Sequence, residues 1–138
     1  DQVLPRISSN VSVYPIVADA DPMSGWLNSL AKLKRLVPDD VLVLPAHNEP
    51  FRNLHARLDA LARGQEKSLE RLLRTLQTPR RAVDVFAALF ARSVGESNVP
   101  LLGMATGESV ACLNHLLHRG EVVRESDEDG VAWYRAAR

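Results

Sequence analysis

A second cysteine is missing from this chain of 138 residues, and its absence rules out an intramolecular disulfide framework. The lone thiol, Cys112, falls inside a helical apolar pattern, where a packed core thiol in a reducing, cytoplasmic setting is expected. Net charge is missing too: seventeen basic residues balance seventeen acidic ones, so no global field draws the protein to nucleic acid or to an anionic membrane. No apolar run approaches the ~20 residues that cross a bilayer, and no basic, apolar, small-residue leader opens the chain. No internal repeat or low-complexity tract occurs, and the first residue is Asp1 rather than methionine, a start that by itself says nothing about function. What is present is 46% hydrophobic sequence, enough to bury the core of one ordinary domain or two very small ones.

Asp21 followed by Pro22 has the form of a helix N-cap with proline in the first turn, and Trp26, Leu30, Leu33 and Val37 then recur at helical spacing. Pro38, Asp39 and Asp40 end that helix. Val41 to Leu44 is apolar at every position, the pattern of a strand covered on both faces, and Pro45 closes it. One such strand cannot stand alone, because its backbone groups need neighbours, so the chain is expected to lack the rest of its sheet. Leu54, Leu58, Leu61, Leu69, Leu72 and Leu76 predict a long amphipathic helix, with a kink or break at Gly64 and Gln65. Gln77, Thr78 and Pro79 set the domain boundary, dividing residues 1–77 from 78–138, with Thr78 capping and Pro79 opening the next helix. Val83, Phe86, Ala87 and Phe90 make one helical face, and a further helix is predicted from about Gly107 to Arg119, closed by a left-handed cap at Gly120. Glu121 to Arg124 and Val131 to Arg135, flanking Asp129 and Gly130, form a β-hairpin. Helices followed by such a hairpin outline a winged helix.

The chemistry concentrates at His47, just beyond the apolar run, where open α/β layers present functional groups. A neutral imidazole nitrogen there suits zinc. Leu44, Pro45, Ala46, His47, Asn48, Pro50 and Phe51, together with Asp1, Val3, Leu4, Pro5, Ile7, Asn10 and Val11, resemble the back half of a metallo-β-lactamase-fold hydrolase. The likeness extends over essentially the whole chain and is closest to the lactamase-beta-like branch, with its β-lactamase-associated winged-helix domain. It implies a mixed α/β, predominantly helical chain: an incomplete piece of the αββα fold, joined by a long helix to a C-terminal winged-helix domain. By the same resemblance Asp1 and His47 are metal ligands of a two-zinc site in which a metal-bound hydroxide attacks a carbonyl or phosphoryl centre.

Two ligands cannot hold such a centre. The family's His-x-His-x-Asp-His motif and further histidine are absent from this sequence, so they are expected upstream in a parent protein, and this chain is expected to be inactive and to hold no zinc stably by itself. His55, His115 and His118 are read as surface or cap residues. The branch often carries a His-His or His-Arg pair and a later arginine in the joining helix, whereas Gly64, Gln65 and Ser68 stand here.

The competing reading is a winged-helix module that binds nucleic acid or protein. Along Gly107 to Arg119 the side chains expected to be exposed are Glu108, Ser109, Asn114, His115, His118 and Arg119, and the wing loop carries Glu125, Asp127, Glu128 and Asp129, which repel phosphate. Arg71, Arg74, Arg80 and Arg81 form the better candidate patch for nucleic acid. Of Trp133 and Tyr134 only one can face any stacking platform, and Trp133 is expected to pack on the core. The partners implied for the parent are a small-molecule ester or thioester, or RNA. No membrane is among them, and homodimer formation through the second domain is the remaining expectation.

Overall fold

The structure is a computed structural model that describes residues 1–91, 93–95 and 98–137. Helix α1, Pro22–Leu36, begins where the sequence predicts: the Asp21 side chain accepts a hydrogen bond from the Ser24 backbone N–H at 3.0 Å, and Pro22 opens the first turn. Met23, Trp26 and Leu30 form its buried side, and Lys34 and Arg35 complement the negative end of the helix dipole in its last turn.

The next segment differs from expectation. Val41 to Leu44 is not a strand of a sheet: Val43 alone pairs, with Phe51, through reciprocal backbone bonds of 2.9 and 3.1 Å. Val41 and Val43 pack against the core, but without neighbouring strands among the described residues the other face stays open, and Leu42 and Leu44 are 53% and 75% exposed. The Val43–Phe51 bridge instead closes a loop that carries His47 at its tip.

Helix α2, Leu54–Thr75, runs 22 residues without the predicted break. Gly64 has open space around it, and Gln65, the polar residue in the apolar stripe, finds a partner by donating to Cys112 Sγ at 3.5 Å, so neither residue forces a kink. The helix lacks a side-chain cap from Asn53, which is left-handed at φ 63°, but Asp39 accepts from the His55 N–H at 2.7 Å and serves instead.

Thr78 and Pro79 do not open a helix. Arg80 forms an antiparallel bridge to Tyr134, with bonds of 2.9 and 2.8 Å, which holds the chain extended until the single turn Ala82–Val85 and the short helix α3, Phe86–Leu89. Helix α4, Val99–His118, starts eight residues before the predicted Gly107. Asn98 caps it, accepting from the Leu101 N–H at 3.1 Å, and Pro100 sits in its first turn. Its end is as predicted: Gly120, at φ 72°, and Glu121 donate back to Leu117 and Leu116 at 2.9 Å each, the paired bonds of a Schellman cap.

Strands β1, Val122–Ser126, and β2, Ala132–Ala136, form the predicted hairpin, with Arg124 opposite Tyr134. Alternation on β2 sends Tyr134 inward, only 4% exposed. Trp133 therefore faces outward, contrary to expectation, with its indole N–H donated to Asp127 at 2.8 Å and the Arg81 guanidinium 5.7 Å from its ring centroid.

One hydrophobic core joins these elements, with Leu69, Leu72 and Leu76 from α2 and its end, Val85, and Leu113 and Leu116 from α4 almost fully buried together. It is contiguous across Gln77. The opening segment is seated on the same body: Val3, Leu4, Val11 and Val13 are buried, and the Val13 N–H bonds to the Gly107 carbonyl at 3.0 Å. That crossing is close, since a Cβ on Gly107 would stand 3.1 Å from the Val13 carbonyl oxygen.

The crossing also covers a face of α4 that the sequence pattern left open. Ser109, Asn114 and His115 are buried rather than exposed, and Asn114 donates to the carbonyls of Ala18 and Ala20 at 2.8 and 2.9 Å. Among the α4 side chains expected to be exposed, only His118 and Arg119 lie at the surface, and Glu108 is half-buried.

Candidate metal centre

Asp1 and His47, far apart in sequence, meet in the structure. The Asp1 Oδ1 lies 3.4 Å from the His47 Nε2, and both side chains remain 60% exposed, open to an ion and to solvent. Two donors at about 2.0–2.1 Å from one tetrahedral zinc stand roughly 3.3–3.4 Å apart, so the pair fits the edge of such a site. A carboxylate oxygen and an imidazole nitrogen are also the right donor types.

Each partner is held by its own anchors. On the Asp1 side, Ser9 donates to the Asp1 carbonyl, Trp26 donates its indole N–H to the Gln2 carbonyl at 3.3 Å, and Arg57 on α2 grips the carbonyls of Leu4 and Ile7 at 2.6 and 3.0 Å. On the His47 side, Asn48 takes a left-handed conformation at φ 69°, which Asn tolerates better than most residues, and this turns the chain at the loop tip. Arg6 then ties the two pieces together, bonding both oxygens of Glu49 at 2.8 and 3.1 Å. That contact holds the Glu49 carboxyl below its ordinary range. Sequence reasoning missed the Arg6–Glu49 tie and the grip of Arg57.

No group of three or more His, Cys, Asp or Glu side chains suited to a metal occurs among the described residues. The remaining histidines are engaged elsewhere. His55 Nε2 lies 2.8 Å from the Val37 carbonyl and caps the end of α1, as a cap residue should. His115 differs from its surface reading: it is buried, with Nδ1 at 3.2 Å from both Asp21 oxygens and 3.1 Å from Ser24 Oγ, while the exposed His118 approaches the same carboxylate at 3.3 Å. Burial opposes the Asp21 charge, but hydrogen bonds from the Ser24 hydroxyl and backbone amide and from His115 outweigh it and hold the carboxyl at about 2.

The basic cluster is partly committed to the fold. Arg71 donates to the Ala88 carbonyl at 3.1 Å and to Ser68, and Arg81 makes paired bonds of 2.9 and 2.8 Å to Asp84. Arg74 and Arg80 are exposed. The loop between β1 and β2 folds on Asp127, which accepts from the N–H groups of Asp129 and Val131 as well as from Trp133. Cys112 is a core thiol, pushed up to about 12 by burial and by the neighbouring Glu108. Among the described residues no helix is long and apolar enough to cross a membrane.

Comparison with known proteins places the chain in a family. Residues 69–137 match the family described as metallo-beta-lactamase-like, C-terminal domain, and the chain belongs to that family. A beta-lactamase domain protein from Burkholderia ambifaria is similar over 99% of this chain, at 36% identity and a TM-score of 0.90. A metallo-beta-lactamase family protein from Thermus thermophilus is similar over the same share, at 25% identity and a TM-score of 0.82. The chain spans 40% of the length of each. Among curated proteins there is no match. The fold is thus that of a C-terminal portion of metallo-β-lactamase-fold proteins, a family whose members are usually hydrolases.

Proposed function

We propose that this chain is the C-terminal piece of a zinc-dependent hydrolase and that Asp1 and His47 are two of the ligands of its dinuclear centre. The observation that carries the reading is the 3.4 Å approach of Asp1 Oδ1 to His47 Nε2 on an open surface. Zinc bound there supplies Lewis acidity and an activated water for attack on a carbonyl or phosphoryl centre. In this chain, Arg57 and Trp26 hold the aspartate segment, the Val43–Phe51 bridge holds the histidine loop, and Arg6 with Glu49 fixes one against the other. The other ligands come from the remainder of the parent, so the isolated chain is inactive. Leu42 and Leu44 then belong against the missing sheet, which explains a strand-like apolar run with one face on the core and the other open.

In the same reading residues 78–138 are a winged-helix domain, with α4 as its principal helix and the β1–β2 hairpin as its wing. It borders the cleft and shapes access for an ester or thioester substrate. RNA is the alternative substrate, for which exposed Arg74 and Arg80 are the available contacts.

The test is metal content and hydrolysis by the protein encoded by the complete reading frame. Two zinc ions per chain and hydrolysis of an ester, thioester or RNA substrate are expected. His47→Ala should release zinc and reduce activity by at least about a hundredfold. Unchanged zinc content in that variant would refute the assignment.

A further inference from the structure

A cleft of about 460 Å³ opens between the Ile7–Asn10 segment, the end of α3 and the first half of α4. Its volume lies in the range of small-molecule sites. Ile7, Leu89, Phe90, Leu101 and Met104 give it apolar walls, and among the described residues Glu108 is the one ionisable side chain lining it. Burial is the sole influence that shifts the Glu108 carboxyl, and pushes it up to about 6, while no cation among the described residues forms an ion pair with it. A half-buried carboxylate in apolar surroundings is costly unless an opposite charge meets it. Asn10 lines both this cleft and the hollow that contains Asp1, so the two are neighbours.

We propose that the cleft binds a small amine with an apolar body, its ammonium group paired with Glu108 and its chain laid along Leu101, Met104 and Phe90. The proposal goes beyond the hydrolase reading, and the binding itself needs no metal. Only the consequence that the bound amine lies beside the reacting centre rests on that reading.

The experiment is titration of the full chain, without zinc, with n-octylamine, octan-1-ol and octanoate, followed by calorimetry and by backbone amide shifts. Octylamine should bind more tightly than octanol by on the order of tenfold, through its charge-assisted hydrogen bond, and octanoate should not bind. Glu108→Gln should lower octylamine to the level of octanol and leave octanol unchanged. Leu101→Lys, at a partly exposed position, brings a cation of the protein's own to Glu108 and should abolish the preference for the amine. Shifts should centre on Met104 and Ala105. Octanoate binding as well as octylamine, an unaltered amine affinity in Glu108→Gln, or no binding by any of the three would overturn the proposal. Because zinc and His47 take no part, failure here leaves the metal assignment standing, and failure of the metal assignment leaves this result standing.

Discussion

Replacing Asp21 should expose how much the junction between α1 and α4 depends on one carboxylate. Its side chain is 10% exposed, caps α1 through Ser24, and meets the buried His115 from α4, a residue 94 positions away. Holding the carboxyl at about 2 rather than at its ordinary 3.8 corresponds to about 2 kcal/mol of folding stability. Asp21→Asn keeps a capping acceptor but removes the charge, so it should cost about 2 kcal/mol at pH 7. Asp21→Ala also removes the cap and leaves His115 without its acceptor, and should cost roughly 1 kcal/mol more. Because the folded carboxyl is depressed, its contribution is complete above pH ~4 and is lost as pH falls towards about 2. Urea unfolding followed by circular dichroism, from pH 7 stepwise to pH 3, would read this directly. The gap between wild type and Asp21→Asn should narrow on acidification. A gap under about 0.5 kcal/mol at pH 7, or one that widens in acid, would refute the reasoning.

Three further outcomes follow from packing. Gly64→Ala, in open space within α2, should stabilise by about 0.5–1 kcal/mol, whereas Gly107→Ala should give no gain or a loss because its methyl meets the Val13 carbonyl; thermal unfolding of both compares them. Ser109→Ala removes a buried hydroxyl that has no hydrogen-bond partner among the described residues and should be neutral or stabilising by up to about 1 kcal/mol in urea titrations, unlike most core changes. The Cys112 thiol, buried and pushed up to about 12, should resist a disulfide reagent at pH 8 in the native protein and react at once in denaturant.

Local signals carried much of the architecture. Asp21 with Pro22 marks the start of α1, Gly120 marks the end of α4, and turn residues between alternating strands mark the hairpin, because each rests on backbone chemistry within a few residues. The misreadings came where distant contacts decide. The start of α4 has its own signal in Asn98 and Pro100, whereas the helix is expected only from about Gly107, a glycine inside it that the Val13 crossing explains. His115 and Asn114 look polar and solvent-facing in the pattern, yet partners in the first twenty-one residues bury them. Trp133 and Tyr134 alternate, so the pattern says that one is inward without saying which, and the Arg80 bridge selects Tyr134. Of the candidate site, both residues were legible through the family likeness, while the struts that bring them together, Arg6 to Glu49 and Arg57 to two carbonyls, depend on tertiary geometry.

The central claim is that Asp1 and His47 share a metal ion, and zinc titration of the chain followed through its four histidine side chains by nitrogen-detected magnetic resonance tests it most directly. The account predicts that millimolar zinc shifts the Nε2 of His47, that Asp1→Asn weakens the shift, and that His55 and the Asp21-bound His115 do not move. A zinc response confined to His115 and His118, or a His47 signal that ignores zinc, would contradict it.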